Sequence, residues 1–138
     1  MILVTSDKIT EDYLEIDPDA KVGAIDSIEI KFDCNGAKQL LELFQKVCTK
    51  KEATLKVNKT SLIEEDLYIQ KIKITNIHEE PSIHYQSGVL TVNMYYEAID
   101  YCIFRLEECL RGEDFFPAEI IDINYKSEEL TIYGIYVK

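Results

Sequence analysis

Two spacings of hydrophobic residues alternate along the chain. Ile28, Ile30 and Phe32 fall at every second position, the pattern of a strand with one buried face. From Leu40 the interval lengthens: Leu40, Leu41, Phe44, Val47 and Cys48 form the stripe of an amphipathic helix. The same succession returns 62 residues later, with Leu90, Val92 and Met94 as the strand positions. Cys102, Ile103, Leu106, Cys109 and Leu110 then take the helix stripe. Residue identity between the two stretches is nearly absent, so the likeness predicts two similar units without requiring a duplication.

Each unit is expected to run strand, helix, strand, strand. The first helix is placed to begin near Asn35, an N-cap acceptor, and to end at Lys50 and Lys51, whose charge suits a helix C-terminus. "EATLKV" and "LYIQKIKITNIH" follow as strands. In the second unit Ser87-Gly88 turns the chain into "VLTVNM". The second helix has no clear N-cap, but Glu97 and Asp100 suit its positive end, and Gly112 suits the left-handed position after its last turn. "EIIDINY" and "ELTIYGIYV" form a hairpin through "KSEE", and "MILVTS" and "YLEI" add short strands. The expected fold is one α+β domain over 1–138: a largely antiparallel sheet with two helices on one face, built from two pseudo-repeated β-α-β-β units.

Composition narrows the classes. With 138 residues and 46% hydrophobic content, the chain can bury one core without staples. No apolar run approaches the ~18–20 residues of a membrane span, and "MILVTSDKIT" lacks the charged region and cleavage site of a signal peptide. Cys48, Cys102 and Cys109 fall on predicted helix faces as small hydrophobes, and Cys102 and Cys109 lie roughly 10 Å apart along one axis, too far to bridge. A reduced cytoplasmic protein is expected. Cys34, just ahead of the first helix, is the one thiol a helix dipole could activate, but no base accompanies it. Fifteen basic against 26 acidic residues give a net charge of −11. The excess lies at the two ends, since residues 32–93 balance at eight and eight. Such a surface disfavours nucleic acid and anionic membranes and favours a basic protein partner.

The stretch "IHEEPSIHYQSG" holds both histidines. A metalloprotease helix needs them four apart, whereas His78 and His84 are six apart with Pro81 between them. The segment reads as a hairpin connection with Glu79, Glu80, Pro81 and Ser82 in its loop, and no metal is assigned. Separately, "PDAKVGAIDSIEIK" carries Pro18-Asp19 and then Glu29-x-Lys31, which resembles the PD-(D/E)xK nuclease pattern. The resemblance implies a divalent metal held by Asp19 and Glu29, with Lys31 helping to activate water. Against it stand the extended look of residues 1–16, where that family has a helix, and the acidity of the region. The alternative is an amphipathic strand whose solvent face carries Glu29 and Lys31. The acid run Glu64-Glu65-Asp66 lacks EF-hand spacing. Nucleophile-elbow, Walker, dinucleotide and Cys-x-x-Cys motifs are absent from the sequence, so no catalytic residue and no cofactor is assigned.

One feature resists a purely structural reading. The first helix sets Lys38, Glu42, Gln45 and Thr49 opposite its core stripe, a solvent face. The second sets Glu97, Asp100, Tyr101, Phe104 and Glu108 there. Either the chain covers this face itself, for example with "EDFFPAE", or a partner does. Aromatic anchors ringed by carboxylates are the make-up of a protein-binding hot spot. Tyr101 and Phe104 are therefore the candidate anchors, with Glu97, Asp100, Glu107, Glu108, Glu113 and Asp114 as the acidic surround. The last strand, apolar on both faces, is either central or partnered. The expected function is occlusion of a basic, nuclease-like protein by a small acidic binder. Its general character is similar to that of bacterial immunity proteins, a likeness of type without a shared motif. A nucleic-acid mimic, the metal nuclease and a homodimer are the alternatives.

Overall fold

The computed structural model describes residues 1–8, 25–63, 67–125 and 128–138. In chain order, β1 (Ile2–Lys8) and β2 (Ile25–Phe32) lead into α1 (Cys34–Lys50) and β3 (Glu52–Lys56). Short β4 (Leu62–Ile63) and β5 (Leu67–Tyr68) pair only with each other and precede β6 (Lys71–Asn76). Then come β7 (Ser82–Gln86), β8 (Val89–Met94), α2 (Tyr96–Leu110), β9 (Glu119–Tyr125) and β10 (Glu128–Tyr136). The fold is α+β, with one eight-stranded sheet in the order β1-β2-β10-β9-β7-β8-β6-β3.

The sheet is mixed. β1–β2, β10–β9, β7–β8 and β3–β6 are antiparallel, whereas β2–β10, β8–β6 and β7–β9 are parallel. The parallel ladders arise because the two units exchange strands: β2, which opens one unit, pairs with β10, which closes the other, and β8 likewise pairs with β6. Register lines up buried positions alike in the two units, although the 62-residue offset holds only between β2 and β8. Ile28 stands beside Ile132, which stands beside Ile121; Leu90 stands beside Ile72, which stands beside Leu55. A slip of one residue in β8 would exchange buried Leu90, Val92 and Met94 for Thr91 and Asn93. At about 1.5–3 kcal/mol for each large apolar side chain, that penalty fixes the register.

The sheet also curls. β2 and β6 are five strand steps apart, about 24 Å in a flat sheet at ~4.8 Å per step. Yet Ile30 and Phe32 of β2 and Ile72 and Ile74 of β6 line one void of about 20 Å³, together with Leu40, Phe44, Cys102 and Leu106 of the two helices. The sheet's ends meet through the segment after β3: the Asn58 N–H donates to the Ile2 carbonyl at 2.7 Å, and the Val4 N–H donates to the buried Ser61 hydroxyl at 3.0 Å. Across the molecule the ladder between β7 and β9 has a single register pair, Ser82 and Asn124. Two halves of four strands thus face each other across a core that both helices enter.

Several local expectations need correction. β6 and β7 do not form a hairpin across Pro81, because β8 lies between them and pairs with both. The hairpin is β7–β8, where Ser87 and Gly88 both take positive φ, 51° and 81°, as a tight turn of matching twist requires. The cap of α1 is Asp33, not Asn35: its carboxylate accepts from the Gly36 N–H at 2.8 Å. Cys34 is the first helical residue, and Cys48 is exposed rather than in the core. Leu110 is only half-buried. The "YLEI" segment, Asp19 and Glu64-Glu65-Asp66 lie outside the described residues. The β9–β10 hairpin and Gly112 at φ 98° after α2 match their expectations. β10 is a central strand, flanked by β2 and β9.

Candidate functional site

α2 starts at Tyr95 without a side-chain cap and buries Ala98, Ile99, Cys102, Arg105, Leu106 and Cys109. On its other side, Tyr101 is 45% exposed and Phe104 56% exposed. Their rings stack, with centroids 6.5 Å apart and planes 25° apart. The expected cover by "EDFFPAE" is not what that loop supplies. Phe115 turns inward against Phe32 and Gly134, while Phe116 turns outward and is 81% exposed, just ahead of a cis Phe116–Pro117 bond. Tyr95 and Tyr96 extend the exposed aromatic surface at the start of the helix.

Arg105 joins the helix to this loop, and it is only 2% exposed. Its Nη1 donates to the carbonyl oxygens of Pro117 and Glu119, the latter at 2.7 Å, and its Nε donates to the Tyr101 carbonyl at 3.3 Å. The guanidinium lies between two rings, 4.1 Å from the Tyr101 centroid and 4.5 Å from that of Phe115. No carboxylate pairs with it among the described residues. A buried cation is tolerable here because carbonyl dipoles and ring faces replace its water. The same contacts orient the Tyr101 ring and hold the loop that carries Phe116.

The acidic surround is present on the surface. Glu97, Asp100, Glu107 and Glu113 are exposed and form no ion pair among the described residues. Glu108, half-buried, meets Arg111 at 3.5 Å, and exposed Asp114 meets Lys138 at 3.0 Å. These two carboxylates are thus partly neutralised, and the unpaired charge sits on the other four. The thiols nearby are poor nucleophiles. Burial pushes Cys102 up to about 12, and burial with the Asp114 charge pushes Cys109 up to about 11. Burial, then the Asp100 charge, also raises Cys48.

The remaining sequence candidates do not converge. His78 is exposed in the loop after β6, and His84 lies on β7 with its Nε2 3.4 Å from the Gln86 side-chain oxygen. Among the described residues no group of three or more His, Cys, Asp or Glu could hold a metal ion. Glu29 and Lys31 face solvent from β2 and pair with each other at 3.7 Å. No described helix is long and apolar enough to cross a membrane. Sequence reasoning missed Arg105 and Phe116. The signal for Arg105 was in the 62-residue offset, which sets it opposite buried Leu43; the inward and outward turns of Phe115 and Phe116 left no periodic trace. No family model matches the chain, and no curated protein matches its sequence.

Proposed function

We propose that this is a cytoplasmic binding protein that occludes a basic protein partner with the outer face of α2, in the manner of an immunity protein against a nuclease-like toxin. The carrying observation is the stacked, exposed Tyr101–Phe104 pair, with exposed Glu97, Asp100 and Glu107 on the same helix and exposed Glu113 and Phe116 in the loop that follows it. Rigid aromatic anchors supply contact area at low entropic cost, and surrounding carboxylates steer a cationic surface and select against acidic ones. Glu108 and Asp114 complete the rim. The buried Arg105 supports the reading because it fixes the Tyr101 ring before any partner arrives, which lowers the ordering cost of association.

Affinity capture from the native host with wild type and with Tyr101→Ala/Phe104→Glu tests the reading, followed by calorimetry on the reconstituted pair. The expected result is one stoichiometric basic protein whose affinity falls at least about tenfold in the variant, as loss of a hot spot implies. A wild type that captures nothing and scatters light as a monomer overturns the proposal. Loss of binding only when several acids are neutralised together would assign a nucleic-acid mimic instead, and a concentration-dependent dimer lost in the variant would assign self-association.

A further inference from the structure

The outer face of the half-sheet β3-β6-β8-β7 is charged unlike the rest of this acidic chain. Register sets Thr54, Lys73, Thr91 and His84 in one row across the four strands, and Lys56, Lys71, Val89 and Gln86 in a second. The residues between the rows, Leu55, Ile72, Leu90 and Tyr85, pack toward the core. Apart from Lys56 at the edge, both rows line a shallow groove of about 400 Å³ that Ser87 closes at the β7–β8 turn. Directly opposed residues stand ~5 Å apart and successive residues on one face ~7 Å apart, so three ammonium groups and an imidazole share one patch.

Lys73 has a counter-charge, Glu52 at 3.1 Å. Lys56 and Lys71 have none: they are directly opposed across the antiparallel ladder, both exposed, and form no ion pair among the described residues. Like charges in that geometry repel and destabilise the pair. Among the described residues the opposite half-sheet pairs its outer-face charges, Lys31 with Glu29, and hydrogen-bonds Thr131 to Asp122 at 2.6 Å. With 26 acids in the chain, a directly opposed Lys–Lys pair at the edge of the groove, with no counter-charge among the described residues, marks a place for an external anion.

We propose that this groove binds a small phosphate-bearing anion, independently of the α2 face. Lys56 and Lys71 would neutralise it, while the neighbouring row offers hydrogen bonds to its oxygens from Thr54 on one side and Thr91 on the other. No phenylalanine, tyrosine or tryptophan ring lines the groove, so a base finds no platform beyond the small His84 imidazole and recognition falls on the phosphate groups. The same chemistry occurs in a free metabolite and in a lipid headgroup.

The test is a nuclear magnetic resonance titration of the full chain with inorganic pyrophosphate at ~0.15 M ionic strength. Co-flotation with vesicles containing a phosphoinositide bisphosphate runs alongside. Saturable shifts at the amides of Lys71, Lys73, His84 and Thr91 are expected, with binding about tenfold weaker in Lys56→Gln/Lys71→Gln and unchanged in Lys38→Gln/Lys46→Gln on α1. Flotation that depends on Lys56 and Lys71 without a pyrophosphate response assigns the headgroup source. Absence of both responses, or equal loss in the α1 control, overturns the proposal.

Discussion

α1 and α2 occupy corresponding places in the two units, yet they present opposite surfaces. Positions 62 apart set Lys38 against Asp100, Gln39 against Tyr101, Glu42 against Phe104 and Leu43 against Arg105. In the first unit Leu43 is 2% exposed, and a cleft of about 140 Å³ beside it, lined by Gln39, Glu42, Lys46, Thr54 and Leu55, stays open. There the chain passes from α1 to β3 through Lys51 alone. In the second unit residues 111–118 separate α2 from β9, and Arg105 reaches their backbone. The shared scaffold is thus independent of the surface it shows. One helix was left as a solvated wall; the other, with a longer connection to anchor, gained a buried cation and a row of aromatics.

The strongest way to break that comparison is to give α2 the residue that α1 has. Arg105→Leu leaves the carbonyls of Pro117 and Glu119 without their donor and removes the cation between Tyr101 and Phe115. Both hydrogen bonds are part-buried, so each lost bond costs about 1 kcal/mol and, with the cation–ring contacts, a loss of about 2–3 kcal/mol is expected in urea denaturation. Amides of residues 112–118 should also exchange faster in the folded state. If Arg105→Leu unfolds at the wild-type urea concentration, Arg105 does not anchor the loop.

Gly134 tests the same loop from the sheet side. A Cβ there would lie 2.7 Å from a ring carbon of Phe115, and Phe115 in turn lies under the Arg105 guanidinium. Gly134→Ala should cost about 2 kcal/mol, typical of overpacking, and should shift the Tyr101 ring resonances as the guanidinium moves. Calorimetric unfolding gives the first quantity. An unshifted Tyr101 spectrum would show that the chain Gly134–Phe115–Arg105–Tyr101 carries no strain.

How much of this was legible in the sequence depends on the range of the interaction. Strand and helix periodicity placed β2, α1, β8 and α2, and the 62-residue offset matched the register of Ile28 and Leu90, because one-sided burial imposes its period locally. The hairpin expected across Pro81 failed for a non-local reason: β8, later in sequence, inserts between β6 and β7, and no local signal announces an inserted strand. The parallel ladders failed to show for the same reason. At the site, Tyr101 and Phe104 stood out because they break the helix pattern. Arg105 did not, since an arginine on a helix reads as solvent-facing, and its burial depends on the Phe115 ring and on backbone acceptors 12 and 14 residues away.

The helix starts extend the comparison at smaller amplitude. Asp33 caps α1 and also accepts from the Met1 amino group at 2.8 Å, whereas Tyr95 gives α2 no side-chain cap. Asp33→Ala should cost about 1 kcal/mol, and Tyr95→Asp should gain a comparable amount. The Met1 ammonium, then the Gly36 N–H, hold the Asp33 carboxyl below its ordinary value of 3.8. A carboxyl lowered on folding stabilises the protein above its unfolded pKa, and that contribution is lost as pH falls through the lower folded value. The gap between wild type and Asp33→Ala should therefore be constant between about pH 5 and pH 7 and close below about pH 4. A gap that persists into acid would mean that the substitution acts through packing.

The helix ends give the smallest and most symmetrical test. Both units leave their helix near a left-handed residue, Lys51 at φ 69° after α1 and Gly112 at φ 98° after α2. A side chain in that region costs about 1 kcal/mol relative to glycine, which has no Cβ to clash with its own carbonyl. The Lys51 N–H donates to the Val47 carbonyl at 3.0 Å, so the backbone bond that closes α1 survives any side chain there. Lys51→Gly is thus expected to stabilise the protein by something under about 1 kcal/mol, part of the gain being offset by glycine's greater freedom in the unfolded chain. Gly112→Ala, where a Cβ would meet nothing within 4 Å, should lose about 1 kcal/mol through backbone strain alone. Opposite signs in urea midpoints would show that the two units differ in how well their helices are closed. Equal signs would mean that the favourable charge Lys51 brings, with Lys50, to the negative end of α1 outweighs the strain of its left-handed backbone.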